Sequence, residues 1–228
     1  MKDLEYKIVR SPRRRTLTIT VERDRAIIVH APQSASEEAI NRVVDSKRQW
    51  IFGKLHHEQK YQNREHPPGK EVVNGESAPY LGRDYRIEIA ETGSGEVEFY
   101  RGFMVPASYL SKRREALKAW YIARAKETIL SRVSRTARDL GVTFKAAKIV
   151  DNRYRWGSCT INGTVNFNWR LIKAPIYVID YVVVHELAHL IENNHTARFW
   201  NIVRANSPTM EKAKAWLKEN GQILDENV

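Results

Sequence analysis

The chain has 228 residues, with 38 lysines and arginines against 27 acidic residues and a formal charge of +11. Its 42% hydrophobic content allows a sizeable core and excludes wholesale disorder. No apolar run approaches a membrane span, and a single cysteine, Cys159, excludes an internal disulfide framework.

Residues 1–5 hold no apolar signal core, so with one cysteine the expected address is a reducing cytoplasm. The alternation in Thr16-Leu17-Thr18-Ile19-Thr20-Val21 and the run Ala26-Ile27-Ile28-Val29-His30 predict a hairpin around a charged turn at 22–25. Ala31-Pro32 ends it. Ser36 is a helix cap with Glu37 and Glu38 at the positive end, and Ile40, Val43, Val44, Trp50, Ile51 and Leu55 carry one helical period to about 56. His56 and His57 point apart on a helix and read as surface residues. The polar stretch 59–70, with Pro67-Pro68-Gly69, is a loop or linker.

Short strands are expected at 71–73, 78–81, 85–89, 97–100 and 102–105, with turns at Asn74-Gly75, Gly82 and 92–95. After Pro106 the pattern turns helical. Leu117, Tyr121, Ala125, Ile129, Val133 and Ala137 recur every four residues, which predicts a long amphipathic helix to Leu140 with Gly141 as its stop. Strands at 148–150 and 164–169 follow, with Asn162-Gly163 as a hairpin turn, and Pro175 opens another helix.

That helix carries His185-Glu186-Leu187-Ala188-His189. Two histidines four apart lie on one helix face and can reach one metal ion, while the intervening glutamate is turned about 100° away. This suits a general base acting on a water held at a catalytic zinc, which wants three protein ligands and one open position. The apolar residues Ile176 to Val184 bury the helix, where unpartnered imidazoles and a carboxylate would be costly. The competing reading is a pair of hydrogen-bonded core histidines. For the third ligand, His195 stands ten residues after His185, a separation used by metzincins. Their glycine three residues after the second histidine is Glu192 here, and Asn193-Asn194 tolerates the left-handed turn that would swing His195 back. Glu192 itself, one turn beyond His189, is the alternative ligand. Met210 reads as a helix start rather than a Met-turn.

Arg155-Trp156-Gly157-Ser158-Cys159, Asn168-Trp169-Arg170-Leu171, the histidine motif, Asn194-His195 and Phe199-Trp200 together resemble the YgjP-like (DUF45) metallopeptidase family, similar to the Wss1- and SprT-like zinc proteases. Val9-Arg10-Ser11 and Trp50-Ile51 extend the likeness over most of the chain. The resemblance implies a zinc-dependent hydrolase with a gluzincin- or metzincin-like core, His185, His189 and His195 as ligands to one Zn2+, and Glu186 as catalytic base.

The expected architecture is α+β: a β-rich region with one helix over 1–105, then a helical, zincin-like catalytic domain over 106–228. Arg155, Trp156 and Arg170 are candidate substrate-binding residues. The segment 155–158 reads either as an edge strand that pairs with a peptide or as a hairpin pinned by Trp156 as a core plug. Arg170 and Tyr181 are candidates for stabilising oxyanion charge. Cys159 reads as a small buried residue, and Phe199 and Trp200 as anchors of the ligand turn. The expected reaction is peptide hydrolysis of a peptide or protein substrate. The basic excess, dense at Arg10, Arg13, Arg14 and Arg15 and again at residues 112–114, leaves two alternatives: a metal-dependent phosphohydrolase of nucleotide triphosphates, or a nucleic-acid-associated metal-binding protein. A solvated basic face explains the same charge.

Overall fold

The structure, a computed structural model, describes residues 4–21, 26–55, 71–91, 95–152 and 155–221. Its architecture is α+β, in two compact units, Met1–Glu65 and His66–Val228. Among the described residues no helix is long and apolar enough to cross a membrane. The turn at 22–25, the histidines at 56 and 57, the linker at 59–70 and most of the turn at 92–95 lie outside the described residues.

The first unit is a three-stranded sheet of β1 (Lys7–Ser11), β2 (Thr18–Val21) and β3 (Ile27–Pro32), with β3 in the middle. The hairpin of β2 and β3 pairs in register from Thr18 opposite His30 to Val21 opposite Ile27. β1 runs parallel to β3 on its other side. Alternation along β3 buries Ile27, Val29 and Ala31 against Ile40, Val44 and Ile51. The helical stretch is two helices rather than one, α1 (Glu37–Ser46) and α2 (Arg48–Leu55). Lys47 leaves helical geometry between them, at φ −103° and ψ 7°. Ser36 caps α1 by accepting from the Ala39 N–H.

In the second unit β4 (Ser77–Tyr80), β5 (Arg83–Ala90), β6 (Glu98–Phe99) and β7 (Phe103–Pro106) form one sheet in the order β4-β5-β7-β6. Residues 71–73 are not a strand; Val72 takes a positive φ of 59° there. The expected division at 105/106 falls inside this unit. The physical reason is a shared core: Tyr80 and Phe103 from the sheet meet Trp120 of the following helix edge-on and Phe99 meets it tilted, ring centroids 5.0–5.7 Å apart. That helix, α3 (Arg113–Leu140), buries Leu117, Tyr121, Ala125, Ile129, Val133 and Ala137, the periodic stripe of the sequence. Gly141 closes it in the left-handed conformation, φ 66°.

A second sheet, β8 (Ala146–Val150), β10 (Thr164–Asn168) and β9 (Gly157–Cys159), has the order β8-β10-β9, so β9 is an edge strand. α4 (Ile176–Ala188) follows a 3-10 turn, and α5 (Ala197–Asn206) and α6 (Met210–Glu219) complete the unit. Gly82, at φ +81°, lets the β4–β5 turn press on Pro175 at the start of α4; a Cβ there would lie 2.5 Å from the Pro175 ring. The turn's N–H groups at Leu81 and Gly82 donate to the carbonyls of Ile172 and Lys173. The β4–β5 turn thereby braces the start of α4.

Candidate metal centre

α4 is apolar nearly all round and buries Val178, Ile179, Val182, Val183, Val184 and Leu187. Such a helix is held by packing on several sides, so its C-terminal end is a rigid place for functional groups. His185 and Glu186 lie in its last turn, and His189 is the first residue past it, still near helical geometry at φ −65° and ψ −16°. The chain then turns through the bonds of Leu190, Ile191 and Glu192 to the carbonyls of Leu187 and Ala188. Neither Asn193 nor Asn194 takes a positive φ. The left-handed turn expected there is replaced by a bend in which the Asn194 N–H faces a carboxylate oxygen of Glu192 at 3.4 Å.

Thr196 restarts the helix, its hydroxyl oxygen accepting from the Phe199 N–H at 3.3 Å. His195 is the residue before this cap and swings back onto the end of α4. A ligand nitrogen from each of His185, His189 and His195 lies within 4.8 Å of the others. The Nε2 atoms of His185 and His195 are 3.1 Å apart. Glu192 is not part of this group. Its carbonyl instead faces His189 Nδ1 at 3.3 Å, which orients that ring and leaves Nε2 for a metal.

These residues fit a zinc ion. Zn–N bonds of 2.0–2.1 Å in a tetrahedron place ligand nitrogens about 3.3 Å apart, close to the His185–His195 spacing. Ligand imidazoles must be neutral. Burial, reinforced by the neighbouring His189 and His195, pushes His185 down to about 4. His189 is also lowered, first by burial. Phe199 packs its ring against all three imidazoles at 4.5–5.0 Å, and Trp200 stacks on His195 at 5.5 Å. The two aromatic residues thus brace the imidazoles from α5.

Glu186 is only 6% exposed. Burial pushes its carboxyl up to about 7, opposed by the positive charge of Arg155. The carboxylate rests on β9: a Cβ at Gly157 would lie 2.6 Å from Glu186 Cγ and 2.7 Å from Oε1. Arg155 is exposed, and Trp156 is half-buried against the main core. Trp156 therefore plugs the core with its side chain while its backbone leads into the edge strand. Cys159 is half-buried on β9, its thiol pushed up by burial and by Glu186.

Arg170 does not join this group as a surface residue. It is 3% exposed, its guanidinium bonds Asp151, and it lies 4.5 Å over the Trp169 ring. Its guanidinium is thereby committed to Asp151 and the Trp169 face, beside the turn before α4. Tyr181, one turn before His185, has its ring 5.9 Å from that imidazole. Its phenol is pushed up to about 12 by burial, then by Glu211 and Glu186, so it stays protonated.

Two site-shaping residues read in the sequence only as parts of motifs, with no role of their own. Asn168 is fully buried; its Oδ1 accepts from the Arg170 N–H, and its amide donates to the carbonyls of Asn152 and Arg155. Its own N–H donates to the Trp156 carbonyl at 2.8 Å. One side chain thus ties the approach to β9 to the turn before α4. Gly157 is the other; a glycine inside a strand pattern signals close approach of another group.

A family model described as the YgjP-like metallopeptidase domain matches residues 15–220. Two solved structures are similar, both metallopeptidase zymogens. Abylysin of Pyrococcus abyssi is 21% identical over 44% of this chain and 98% of that one, with a TM-score of 0.37. Jannalysin of Methanocaldococcus jannaschii is 16% identical over 40% and 94%, with a TM-score of 0.36. No curated protein matches at a significant level.

Proposed function

Because the chain belongs to the YgjP-like metallopeptidase family, we propose that it is a zinc peptidase in which His185, His189 and His195 hold one Zn2+ and Glu186 is the general base. The observation that carries this reading is the convergence of three imidazoles beside a buried carboxylate that rests on an edge strand. Zinc, when bound, lowers the pKa of a water in its open position toward 7 and polarises a substrate carbonyl.

The chain's own residues do the rest. The Glu186 carboxylate takes the proton of the attacking water and returns it to the departing amine nitrogen. The substrate's backbone pairs with the outer edge of β9, which no other strand covers among the described residues. Arg155 and Trp156, at the entry to that edge, flank the substrate, with Arg155 also counter-charging Glu186. Tyr181, protonated and one turn before His185, donates to developing oxyanion charge in this reading. Nucleotide or nucleic-acid substrates rest on net charge alone, and the cytoplasmic address rests on composition alone.

The test is metal analysis beside turnover. Wild type should carry about one zinc per chain and cleave a denatured protein or a peptide library; His195→Ala should lose most of the metal. Glu186→Gln should keep the metal and lose about 10²–10⁴-fold in kcat. Full turnover by the glutamine variant would remove Glu186 from the chemistry.

A further inference from the structure

A cleft of about 350 Å³ lies along the exposed flank of α3, and none of its lining residues belongs to the histidine cluster. Its floor is one helical stripe. Arg124, Thr128, Ser131, Arg132 and Arg135 stand four, seven, eight and eleven residues from the first, which at 100° per residue falls within about a quarter of the helix circumference. Tyr80 at the end of β4 completes the lining, together with Glu127.

We infer that this cleft is a binding site for phosphate-type oxyanions. Three arginines line one shared space, and the acidic groups paired with them number only two. Glu127 bonds Arg124 at 2.8 Å, and Asp180 of α4 bonds Arg132 at 3.2 Å. Arg135 is exposed and has no acidic partner among the described residues. One full positive charge is therefore left over.

The guanidiniums of Arg124 and Arg132 are held by these ion pairs. The Nε atoms of Arg124 and Arg132 are shut off from solvent and have no hydrogen-bond partner among the described residues. Arg132 is only 19% exposed. Partial desolvation weakens screening and strengthens attraction for an anion. Planar, forked N–H donors match the oxygens of a phosphate in pairs. The Thr128 hydroxyl supplies a further neutral donor; the Ser131 hydroxyl already donates to the Thr128 carbonyl at 3.0 Å. The Tyr80 phenol is pushed up by burial against the opposing charge of Arg124, so it too remains a donor. A singly charged carboxylate would satisfy less of this donor set than a phosphate does.

Titration calorimetry of the full chain at fixed ionic strength tests the site, with inorganic phosphate, O-phosphoserine, acetate and chloride as probes. Phosphate should bind saturably and at least tenfold more tightly than acetate. Arg135→Gln, at an exposed position where folding is not at stake, should weaken phosphate binding about tenfold, and Arg135→Lys should restore part of it. Peptidase turnover should not change in either variant. Phosphoserine binding as tightly as phosphate would support an esterified phosphate as the source; phosphate binding alone would support the free ion. Undiminished binding in Arg135→Gln, or equal affinity for acetate, would overturn the assignment.

Discussion

At position 157 the absence of a side chain is a feature of the site. A methyl group there would sit 2.6 Å from Glu186 Cγ, a distance that real Cβ contacts do not show, so the carboxylate or the strand would have to move. A displacement of about 1 Å at a reacting group costs on the order of 10²-fold in rate. Gly157→Ala should therefore keep its zinc and its melting temperature to within a few degrees while kcat falls by about that factor. Wild-type turnover in the variant would mean that Glu186 tolerates a new position. The same residue-scale logic separates Arg155 from Arg170. The first is exposed and acts on Glu186 through its charge, whereas the second spends its guanidinium on Asp151 and the Trp169 face.

The third histidine is placed by an element boundary. His195 has no helix of its own; it is held by the bend after α4 and by the start of α5, where Thr196 accepts from the Phe199 N–H. Losing such a cap costs about 1 kcal/mol of local stability. Thr196→Ala should loosen His195 and weaken zinc affinity several-fold, read by competition with a chromophoric chelator, with little change in global unfolding. Unchanged affinity would show that Phe199 and Trp200 suffice to hold the ring. On the other side of the site, Asn168 does for β9 what Thr196 does for His195, by fixing the carbonyls of Arg155 and Trp156.

For the whole molecule, the distribution of buried residues matters most. One cluster in the first unit centres on Val29, Ile40 and Ile51; a larger one runs through the sheets and helices of the second and includes Phe199 and the apolar residues of α4. Every candidate metal ligand lies in the second unit. A chain reduced to 66–228 should fold cooperatively and bind zinc with the stoichiometry of the full chain; a fragment that neither unfolds cooperatively nor binds metal would contradict this. The second unit also carries an acid-sensitive tie. Burial alone would raise the Asp151 carboxyl, but hydrogen bonds from Lys118 and Arg170 outweigh it and hold the group well below the usual carboxylate range. A lowered native pKa makes its stabilisation complete above the unfolded value of about 3.9 and progressively lost as pH falls toward the native one. The melting-temperature gap between wild type and Asp151→Asn should be widest above about pH 5 and shrink below about pH 4. A gap independent of pH would mean that the ion pair contributes nothing.

Local pattern was enough to read the periodic elements. The buried stripe of α3, the β2–β3 hairpin, the Gly141 stop and the placing of His185 and His189 on one helix end all follow from spacing, because helix and strand periods are set by the backbone itself. What spacing could not supply is which distant groups meet. The strands at 77–106 join the second unit because their aromatic rings interlock with α3, a contact invisible along the chain. Arg170 is buried because Asp151 and Trp169 meet it there. Glu192 turns its carbonyl to His189 while His195 closes on His185, and Gly157 lies under Glu186. The sequence by itself determined the chemistry available, three imidazoles and a carboxylate on and after one helix. The tertiary structure decided their arrangement, because ligand convergence and charge burial depend on contacts between segments that only packing brings together.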